Sequence, residues 1–557
     1  MTSLERARLG LGISALLLTF ATCTNGPDSP ARGTNGAAAG GHAGGTGGRG
    51  GAGAATSVGG SEGTDPSTTP GGSGTGGDAG SLDGGPAPAT DAAGELDARQ
   101  GGRDAANGTD GPAGLDAPSG SGGATADGGR PDGTRPSDGP TATTGCPATG
   151  LAGAGHVQIS KNGASLTMTR DGAPYYVNGI DGSFNLDLAQ RSGVNSIRTF
   201  DSAGALALLD MAASHCMTVL LGISLSNTPA DYTNPTFLAA KRAEVANLLA
   251  TIKDHRALLM WGIGNEIQLA AGNDNQTTVG FVKELADTIH MQDHNHPVLT
   301  ALAGANVTFI NHIVQWAPTL DAIGINSYAG VTTVATDVGR STYTGPFFLT
   351  EWGPTGWWEA PKTTWGVPIE QTSGDKGRVY KTRYASFAHK SRVLGDYVFL
   401  WGQKIENTPT WFGMFLETET ALGIAGESLP TVDTMTTAWS GTSPTNHAPD
   451  VTALTLAGKA ASASVTLTAG QSVPAVVTAS EPDGDTMSYV WEILQDPSST
   501  TSNMGEARKP RVGTPQKGTT PMINITAPTA AGQYRLFVYV LDGKGHAGTA
   551  NIPFRVN

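Results

Sequence analysis

A long stretch without aromatic residues is the feature of this sequence that most limits what can fold. No Phe, Trp or Tyr occurs between Phe20 and Tyr175, and 37 of the 79 glycines lie between Thr24 and Gly145. A segment without large apolar side chains cannot bury enough surface to offset the entropy lost on folding. We therefore predict a disordered Gly/Ala/Ser/Asp-rich linker over residues 24–145, and we expect folded structure only in residues 146–557.

The residues before this linker have the pattern of an export signal. Arg6 and Arg8 precede an apolar run from Leu9 to Phe20, which is too short to cross a bilayer. Residues 1–23 are therefore predicted to be a signal peptide, and we expect the chain at the cell surface, anchored to a bacterial outer membrane, or outside the cell. The sequence FATC, which ends at Cys23, resembles a lipoprotein lipobox, so lipidation of Cys23 and ordinary cleavage nearby are alternatives.

Charge and cysteine content limit the partners. The chain has 34 Lys and Arg against 48 Asp and Glu, a net charge of −14, so no basic patch is available for nucleic acid. Contact with a membrane is expected only through a lipid at Cys23, and we expect a monomer. Cys146 and Cys216 would remain either as one disulfide or as two free thiols.

Residues 146–440 alternate between strand-like and helix-like patterns. Amphipathic stretches with apolar residues three and four apart separate eight short apolar runs, at residues 176–180, 194–199, 217–223, 258–264, 297–302, 322–326, 346–350 and 397–401. Eight such units, each of about 32 residues, predict an α/β fold of the (β/α)8 TIM-barrel type, with its active site at the carboxyl ends of the strands. The alternative is a doubly wound open sheet, which alternates in the same way.

Residues 447–557 have a different pattern. Gly and Pro cluster between residues 440 and 450, and β-rich runs at 465–468, 487–494 and 534–541 follow between turn residues. These features predict a small all-β, immunoglobulin-like or cadherin-like sandwich. The acidic turns at 481–485 and 542–543 resemble those of calcium-binding modules, although we favour two solvated turns.

Two glutamates follow predicted barrel strands. The apolar run 258–264 ends at Asn265 and Glu266, and the run 346–350 ends at Glu351, 85 residues or three βα units after Glu266. On a barrel both carboxylates can face one crevice, which is what glycosidic bond cleavage requires. One such Glu alone would favour a helix cap or salt bridge, but two in the same context favour catalysis.

The residues around these glutamates resemble the catalytic motifs of retaining glycoside hydrolases of clan A. The sequence WGIGNE, ending at Glu266, resembles the acid/base motif, and TEWG, containing Glu351, resembles the nucleophile motif. The similarity is nearest to the barrel of glycoside hydrolase family 2 and covers residues 175–402. It implies double displacement with Glu266 as acid/base and Glu351 as nucleophile, without a cofactor or a metal ion.

The resemblance also implies roles for further residues. Arg198, at the end of the second strand, would support the nucleophile, and Tyr328, after the sixth, would hydrogen-bond it. Asn265 would donate to the sugar 2-hydroxyl, and Trp401, at the end of the eighth strand, would form an aromatic floor under the sugar. Family 2 enzymes carry two β domains before the barrel, whereas here only the predicted linker and a short segment, residues 156–174, precede it. Their exo-acting specificity therefore does not carry over.

Aromatic residues in the last two loops indicate the substrate. Trp357 and Trp358 follow the seventh strand, and Trp411 follows the eighth. Such rings stack on pyranose faces, although packing between the loops is the alternative. We expect several sugar subsites and a β-linked polysaccharide substrate, a glucan with mannan as a competitor.

Three histidines near the fifth strand do not change this interpretation. His290, His294 and His296 lie between a helix and a strand, on the barrel face opposite the site, so we expect no metal there.

The sequence as a whole predicts an exported retaining β-glycosidase that hydrolyses or transfers glycosyl groups. The alternative is a non-catalytic, cell-surface carbohydrate-binding or adhesion lipoprotein, which need not keep both carboxylates.

Overall fold

The computed structural model describes residues 146–557 apart from 148, 163–164 and 497–506. The predicted signal peptide 1–23, with Cys23, and the linker 24–145 lie outside the described residues. Within the described part, no helix has both the length and the apolar character needed to cross a membrane. Cys146 and Cys216 form a disulfide, which decides between the two states expected for them.

A small antiparallel sheet precedes the barrel and covers the barrel end opposite the carboxyl ends of the strands. Its strands are β1 (Val157–Asn162), β2 (Ser165–Arg170) and β3 (Ala173–Pro174). Val157 and Met168 are buried against apolar side chains that fill the barrel interior, such as Leu259 and Phe348. The hairpin thus covers the apolar end of the barrel that lies opposite the strand carboxyl ends.

Eight parallel strands form a closed barrel surrounded by helices, in agreement with the prediction. The strands are β4 (Val177–Asp181), β5 (Ser196–Arg198), β6 (Thr218–Ile223), β7 (Leu258–Asn265), β8 (Val298–Ala303), β9 (Ala322–Asn326), β10 (Phe347–Trp352) and β11 (Val393–Val398). Strand β10 pairs with both β9 and β11, and β11 pairs with β4. Because the sheet closes on itself, the doubly wound open sheet is excluded.

Helices follow most of the barrel strands. They are α1 (Leu186–Arg191), α2 (Ala205–Ser214), α3 (Pro235–Ile252), α4 (Gln268–Ala271), α5 (Gln276–His290), α6 (Val307–Trp316), α7 (Val334–Gly339), α8 (Ser373–Phe387) and α9 (Pro430–Ser440). In α5 the apolar side chains three and four apart, including Val279, Val282 and Leu285, are buried against the barrel. This amphipathic pattern is why the helices pack around the strands.

The eighth strand lies earlier than the sequence predicted. The prediction placed it at 397–401, whereas β11 spans Val393–Val398 and Trp401 lies beyond it. The polar Asp396 interrupts the apolar run and hid its beginning. Asp396 is nevertheless fully buried, which raises its pKa well above the ordinary value, and Trp352 Nε1 donates to its Oδ1 at 2.8 Å.

The C-terminal part consists of two mainly antiparallel sheets. Before α9, the chain forms a short hairpin of β12 (Thr418–Glu419) and β13 (Ile424–Ala425). The strands of the C-terminal part are β14 (Asp450–Leu456), β15 (Val465–Leu467), β16 (Ser472–Ser480), β17 (Ser488–Gln495), β18 (Arg511–Gly518), β19 (Met522–Thr526), β20 (Gly532–Leu541) and β21 (Ala547–Val556). One sheet has the order β14-β16-β19 and the other β15-β21-β20-β17-β18. A shared apolar core lies between them. The all-β character agrees with the prediction, and the immunoglobulin-like or cadherin-like assignment stays a prediction.

Candidate active site

The carboxyl ends of four barrel strands bring three of the predicted polar residues together with Asn326, which was not predicted. Arg198 ends β5, Asn265 ends β7, Asn326 ends β9 and Glu351 lies one residue before the end of β10. Glu266 directly follows β7 and has a left-handed backbone, with φ of 51°. A non-glycine residue in that conformation is uncommon and is found more often at functional sites than elsewhere.

Arg198 connects two of the predicted site residues. Its Nη1 donates to Glu351 Oε1 at 3.1 Å and to the Thr350 carbonyl at 2.8 Å. Its Nη2 donates to Asn265 Oδ1 at 2.7 Å. The guanidinium is only 4% exposed, so its ion pair with Glu351 is shielded from solvent.

Asn326 is a site residue that the sequence prediction missed. Its Nδ2 lies 2.8 Å from Glu351 Oε1, 3.1 Å from Glu266 Oε1 and 3.0 Å from Asn265 Oδ1. Thr350 Oγ1 donates to Asn326 Oδ1 at 2.7 Å and so fixes which way the amide faces. The signal that could have identified it was present, because Asn326 ends an apolar strand two residues before Tyr328.

The Asn265 amide has a defined orientation. Its Oδ1 accepts from both Arg198 and Asn326, so its Nδ2 is the group that remains to donate into the crevice. The Asn265 side chain is partly exposed, which leaves that nitrogen within reach of a ligand. This orientation suits a donor to a sugar hydroxyl.

The two glutamates differ in their electrostatic surroundings. Burial, followed by the neighbouring charge of Glu351, raises the pKa of Glu266 to about 8, although Asn326 and Arg198 act in the opposite direction. Burial also raises the pKa of Glu351, but Arg198 opposes this most strongly, and Tyr328 donates from its hydroxyl to Glu351 Oε2 at 3.3 Å. Of the two glutamates, Glu266 therefore holds a proton more readily at neutral pH.

Trp401 does not lie where the resemblance placed it. Its ring has no exposed surface, because it packs against Phe415 and Trp439 and its Nε1 donates to the Phe184 carbonyl at 2.7 Å. The predicted aromatic floor is therefore not available at this residue in the structure. The shift of the eighth strand explains the difference, since Trp401 lies three residues after β11.

Two of the loop tryptophans have structural partners. Trp411 is 1% exposed and its Nε1 donates to the Thr355 carbonyl at 2.9 Å. Trp357 is 8% exposed and its Nε1 donates to Glu406 Oε1 at 3.0 Å. Packing between the loops, the alternative weighed for these rings, describes both of them.

Trp358 and Phe200 are candidate sugar platforms, because both rings are partly exposed next to predicted site residues. Trp358 packs edge-on against Tyr328, with ring centres 5.3 Å apart. Phe200, which the sequence prediction missed, lies 4.4 Å from the Arg198 guanidinium and edge-on to Phe399. Both residues are half-buried, and their contacts place Phe200 beside Arg198 and Trp358 beside Tyr328.

Three further ionisable residues border the glutamates, and burial raises the pKa of one of them, Asp181, well above its ordinary value. Asp181, fully buried at the end of β4, accepts from Arg198 Nη1 at 3.4 Å. Lys404 donates to Glu406 Oε2 at 2.7 Å, and both lie in the loop after β11. The positive charge of Lys404 lowers the pKa of Glu351, although less than burial raises it.

The described residues contain no group of three or more His, Cys, Asp or Glu side chains arranged to hold a metal. His290 pairs with Asp321 at 2.8 Å and His296 with Asp293 at 2.9 Å. In the C-terminal turns, Asp542 accepts from Asn446 at 2.8 Å, and Asp483 accepts from the His447 amide. These carboxylates accept hydrogen bonds from protein donors, and two solvated turns stay the prediction for this part of the chain.

Comparisons with known proteins give distant similarities. No protein-family model matches the chain, and no curated protein matches it. Solved structures that resemble it include glycoside hydrolases. A calcium-binding mutant of β-glucuronidase 2 from Bacteroides uniformis is 13% identical with a TM-score of 0.39, and the alignment covers 72% of this chain and 48% of that one.

Two other solved structures have similar values. A β-galactosidase described as putative, from Bacteroides fragilis, is 12% identical with a TM-score of 0.38, covering 72% of this chain and 57% of that one. The endo-β-1,4-mannanase from Thermotoga petrophila is 11% identical with a TM-score of 0.35, covering 69% of this chain and 98% of that one. This chain thus spans about half the length of the first two, and similarity at this level identifies no family.

Proposed function

We propose that this chain is a retaining β-glycosidase in which Glu351 is the nucleophile and Glu266 the acid/base. One observation carries the proposal: Asn326 Nδ2 lies 2.8 Å from Glu351 Oε1 and 3.1 Å from Glu266 Oε1, so these oxygens are at most about 5.9 Å apart. Retaining glycosidases hold their two carboxyl groups about 5–5.5 Å apart, and inverting enzymes about 6.5–9.5 Å apart. The separation therefore supports retention.

The first step forms a glycosyl-enzyme ester. A Glu351 carboxylate oxygen attacks the anomeric carbon, and the bond from that carbon to the glycosidic oxygen breaks with its electron pair on the oxygen. Glu266 gives its proton to that departing oxygen. The raised pKa of Glu266, about 8, supports this role because the residue still carries its proton at neutral pH.

The second step releases the sugar. Glu266, now a carboxylate, takes a proton from water or from a second sugar hydroxyl, whose oxygen attacks the anomeric carbon. The ester bond breaks and Glu351 recovers its carboxylate. Water gives hydrolysis, and a sugar hydroxyl gives transglycosylation, which a crevice that excludes water would favour.

Neighbouring side chains would serve the reaction in defined ways. Arg198 and Tyr328 donate hydrogen bonds to the two oxygens of Glu351. These bonds would stabilise the negative charge that returns to the Glu351 carboxylate when the ester breaks. Asn265 has its nitrogen left to donate and would bind the sugar 2-hydroxyl, a contact that strengthens in the transition state.

For the substrate we propose a β-linked polysaccharide, with a glucan first and mannan second. The partly exposed rings of Trp358 and Phe200 support sugar subsites beside the glutamates. Trp357, Trp411 and Trp401 would shape those subsites from behind, since their rings are buried.

We also propose that the enzyme works outside the cytoplasm as a monomer. The signal-like residues 1–23 support export, and a lipid at Cys23 would anchor the chain. The Gly-rich segment 24–145 would then serve as the linker between this anchor and the catalytic part.

The decisive experiment is product analysis with the full chain and its Glu351→Ala variant. The panel contains β-1,3-, β-1,4- and β-1,6-glucans, mannan, and aryl β-glycosides. We expect products only from the wild type, and with an activated aryl glycoside we expect azide to restore turnover of Glu351→Ala with inverted configuration. Glu284→Ala, an exposed glutamate of helix α5 on the outside of the barrel, is the matched control.

Two results would contradict the proposal. Turnover by Glu351→Ala without azide would remove the nucleophile assignment. If the wild type forms no product from any substrate while Glu351→Ala binds polysaccharide as well as the wild type does, the non-catalytic carbohydrate-binding protein is favoured.

A further inference from the structure

A buried carboxylate at Glu370 accepts hydrogen bonds from four side chains. Its Oε1 accepts from Lys376 Nζ at 2.6 Å and Thr410 Oγ1 at 2.9 Å. Its Oε2 accepts from Thr408 Oγ1 at 2.6 Å and Asn551 Nδ2 at 2.6 Å. Burial alone would raise the pKa of Glu370, but Lys376 and these bonds outweigh it and lower the pKa, so the carboxylate is charged.

The fourth donor comes from the C-terminal domain. Asn551 lies in β21, and Arg535 of β20 donates to Asn551 Oδ1 at 2.7 Å, which orients the amide nitrogen toward Glu370. Arg535 also donates to the Pro368 carbonyl at 2.9 Å, on the barrel side. The hydrogen-bond shell of Glu370 is therefore completed by a different domain.

Two of the other donors to Glu370, Thr408 and Thr410, belong to the loop of residues 403–411, which follows β11. Their hydrogen bonds attach this loop to Glu370. Thr408 and Glu406 exchange backbone hydrogen bonds at 2.8 and 3.2 Å, so the position of Thr408 fixes that of Glu406. The Glu406 carboxylate in turn accepts from Trp357 at 3.0 Å and Lys404 at 2.7 Å. A continuous set of bonds thus leads from Asn551 to the charged residues beside the glutamates.

The two domains also share an apolar interface. Leu416, Leu422 and Leu429 of the segment after this loop are buried against Phe537 and Tyr539 of the five-stranded sheet. Because Glu370 and Asn551 are both buried, water cannot replace a lost donor to the Glu370 carboxylate without opening the contact between the two domains.

We propose that the C-terminal domain positions the 403–411 loop of the active site through Asn551, which completes the hydrogen bonding of Glu370. Asn551 is then a positioning residue for Lys404 and Glu406 and contacts no substrate itself. The importance of this loop for turnover rests on the proposed function, whereas its dependence on Asn551 does not.

The test is hydrogen–deuterium exchange of the amides in residues 403–411, measured on the full chain without substrate. Asn551→Leu removes the donor to Glu370, and Thr408→Val removes the donor from the loop side. The control is Tyr534→Phe, which removes a 2.9 Å hydrogen bond to the Ala530 carbonyl within the C-terminal domain.

We expect about tenfold faster loop exchange, or more, in Asn551→Leu and Thr408→Val, because each removes a bond to a charged buried group. Since both act through Glu370, the double variant should exchange less than additively. Tyr534→Phe should leave the loop unchanged. Where the wild type turns over a substrate of the panel, Asn551→Leu should raise KM and Tyr534→Phe should not.

Equal loop exchange in wild type and Asn551→Leu would overturn the inference, as would equal acceleration by Tyr534→Phe. If Asn551→Leu does not fold, Asn551→Ser, whose hydroxyl is too short to reach Glu370, is measured in its place with the same expected result. Failure of the proposed function would appear separately, as a wild type that is inactive while the loop still responds to Asn551.

Discussion

Asn326 donates from its side-chain nitrogen to Glu351 Oε1 at 2.8 Å, and the same nitrogen lies 3.1 Å from Glu266 Oε1. One amide therefore contacts both carboxyl groups on which the proposed chemistry depends. It lowers the pKa of Glu266, although burial and the charge of Glu351 raise that pKa more strongly. The Asn326 side chain, which lies between Glu266 and Glu351, thus also affects which of the two carboxyl groups is protonated.

Replacement of Asn326 should impair turnover without unfolding the barrel. We expect Asn326→Ala to lower kcat/KM about 10–100-fold, the usual effect of losing a hydrogen bond to a charged group. The measurement is steady-state kinetics on the best substrate of the panel, with thermal unfolding to confirm folding. A folded Asn326→Ala variant within twofold of wild-type kcat/KM would remove the residue from the site.

The pH dependence of kcat/KM should be bell-shaped, with its alkaline limb near pH 8. Glu266 must be protonated to assist the leaving group, and its pKa is raised to about 8, so activity falls as the pH rises through that value. The acidic limb reports ionisation of Glu351, whose pKa burial raises above its ordinary value. It should therefore lie above the range of an exposed Glu.

A substrate that needs no acid catalysis provides the control for this limb. With a 2,4-dinitrophenyl glycoside, glycosylation should lose most of its alkaline limb, and Glu266→Gln should lack that limb altogether. An alkaline limb near pH 8 that persists in Glu266→Gln would assign it to a different group.

The same proton affects folding stability. The folded protein keeps Glu266 protonated up to about pH 8, whereas the unfolded chain releases this proton near its ordinary pKa of 4.5. Stability should therefore fall as the pH rises from about 4.5 to 8, at up to about 1.4 kcal/mol per pH unit from this group. Glu266→Gln should become more stable than wild type across that window.

Urea unfolding of both proteins at pH 5, 6.5 and 8 measures this difference. The free energy of unfolding of Glu266→Gln relative to wild type should increase at each step. A difference that is constant with pH would mean that Glu266 titrates normally in the folded protein.

The barrel and the two glutamates were predictable because local signals coincide with the fold. The apolar runs that end at Glu266 and Glu351 are buried strands, and the closed parallel sheet brings their ends together. The role of Asn326 could not be read in the same way. Its importance depends on neighbours 25 and 60 residues away along the chain, Glu351 and Glu266, and on a rotamer fixed by Thr350.

The aromatic residues show where sequence reasoning fails. A ring after a barrel strand can face the crevice or pack into the core, and the sequence around Trp401 gives no sign of which it does. The choice depends on the extent of β11, which the buried Asp396 concealed. Likewise, the hydrogen bond from Asn551 to Glu370 joins residues 181 positions apart, so no local pattern predicts it.

Trp358 and Trp411 should therefore respond differently to truncation. Trp358 is half-buried and keeps part of its ring exposed beside Tyr328, so Trp358→Ala should reduce polysaccharide turnover about tenfold while changing aryl-glycoside turnover little. Trp411 is 1% exposed, so Trp411→Ala should instead destabilise the protein by about 3–5 kcal/mol. Kinetics on both substrate types, together with urea unfolding, separate these effects. Equal loss of both activities in a fully stable Trp358→Ala variant would argue against an extended, aromatic-lined cleft and for a site that holds a single sugar.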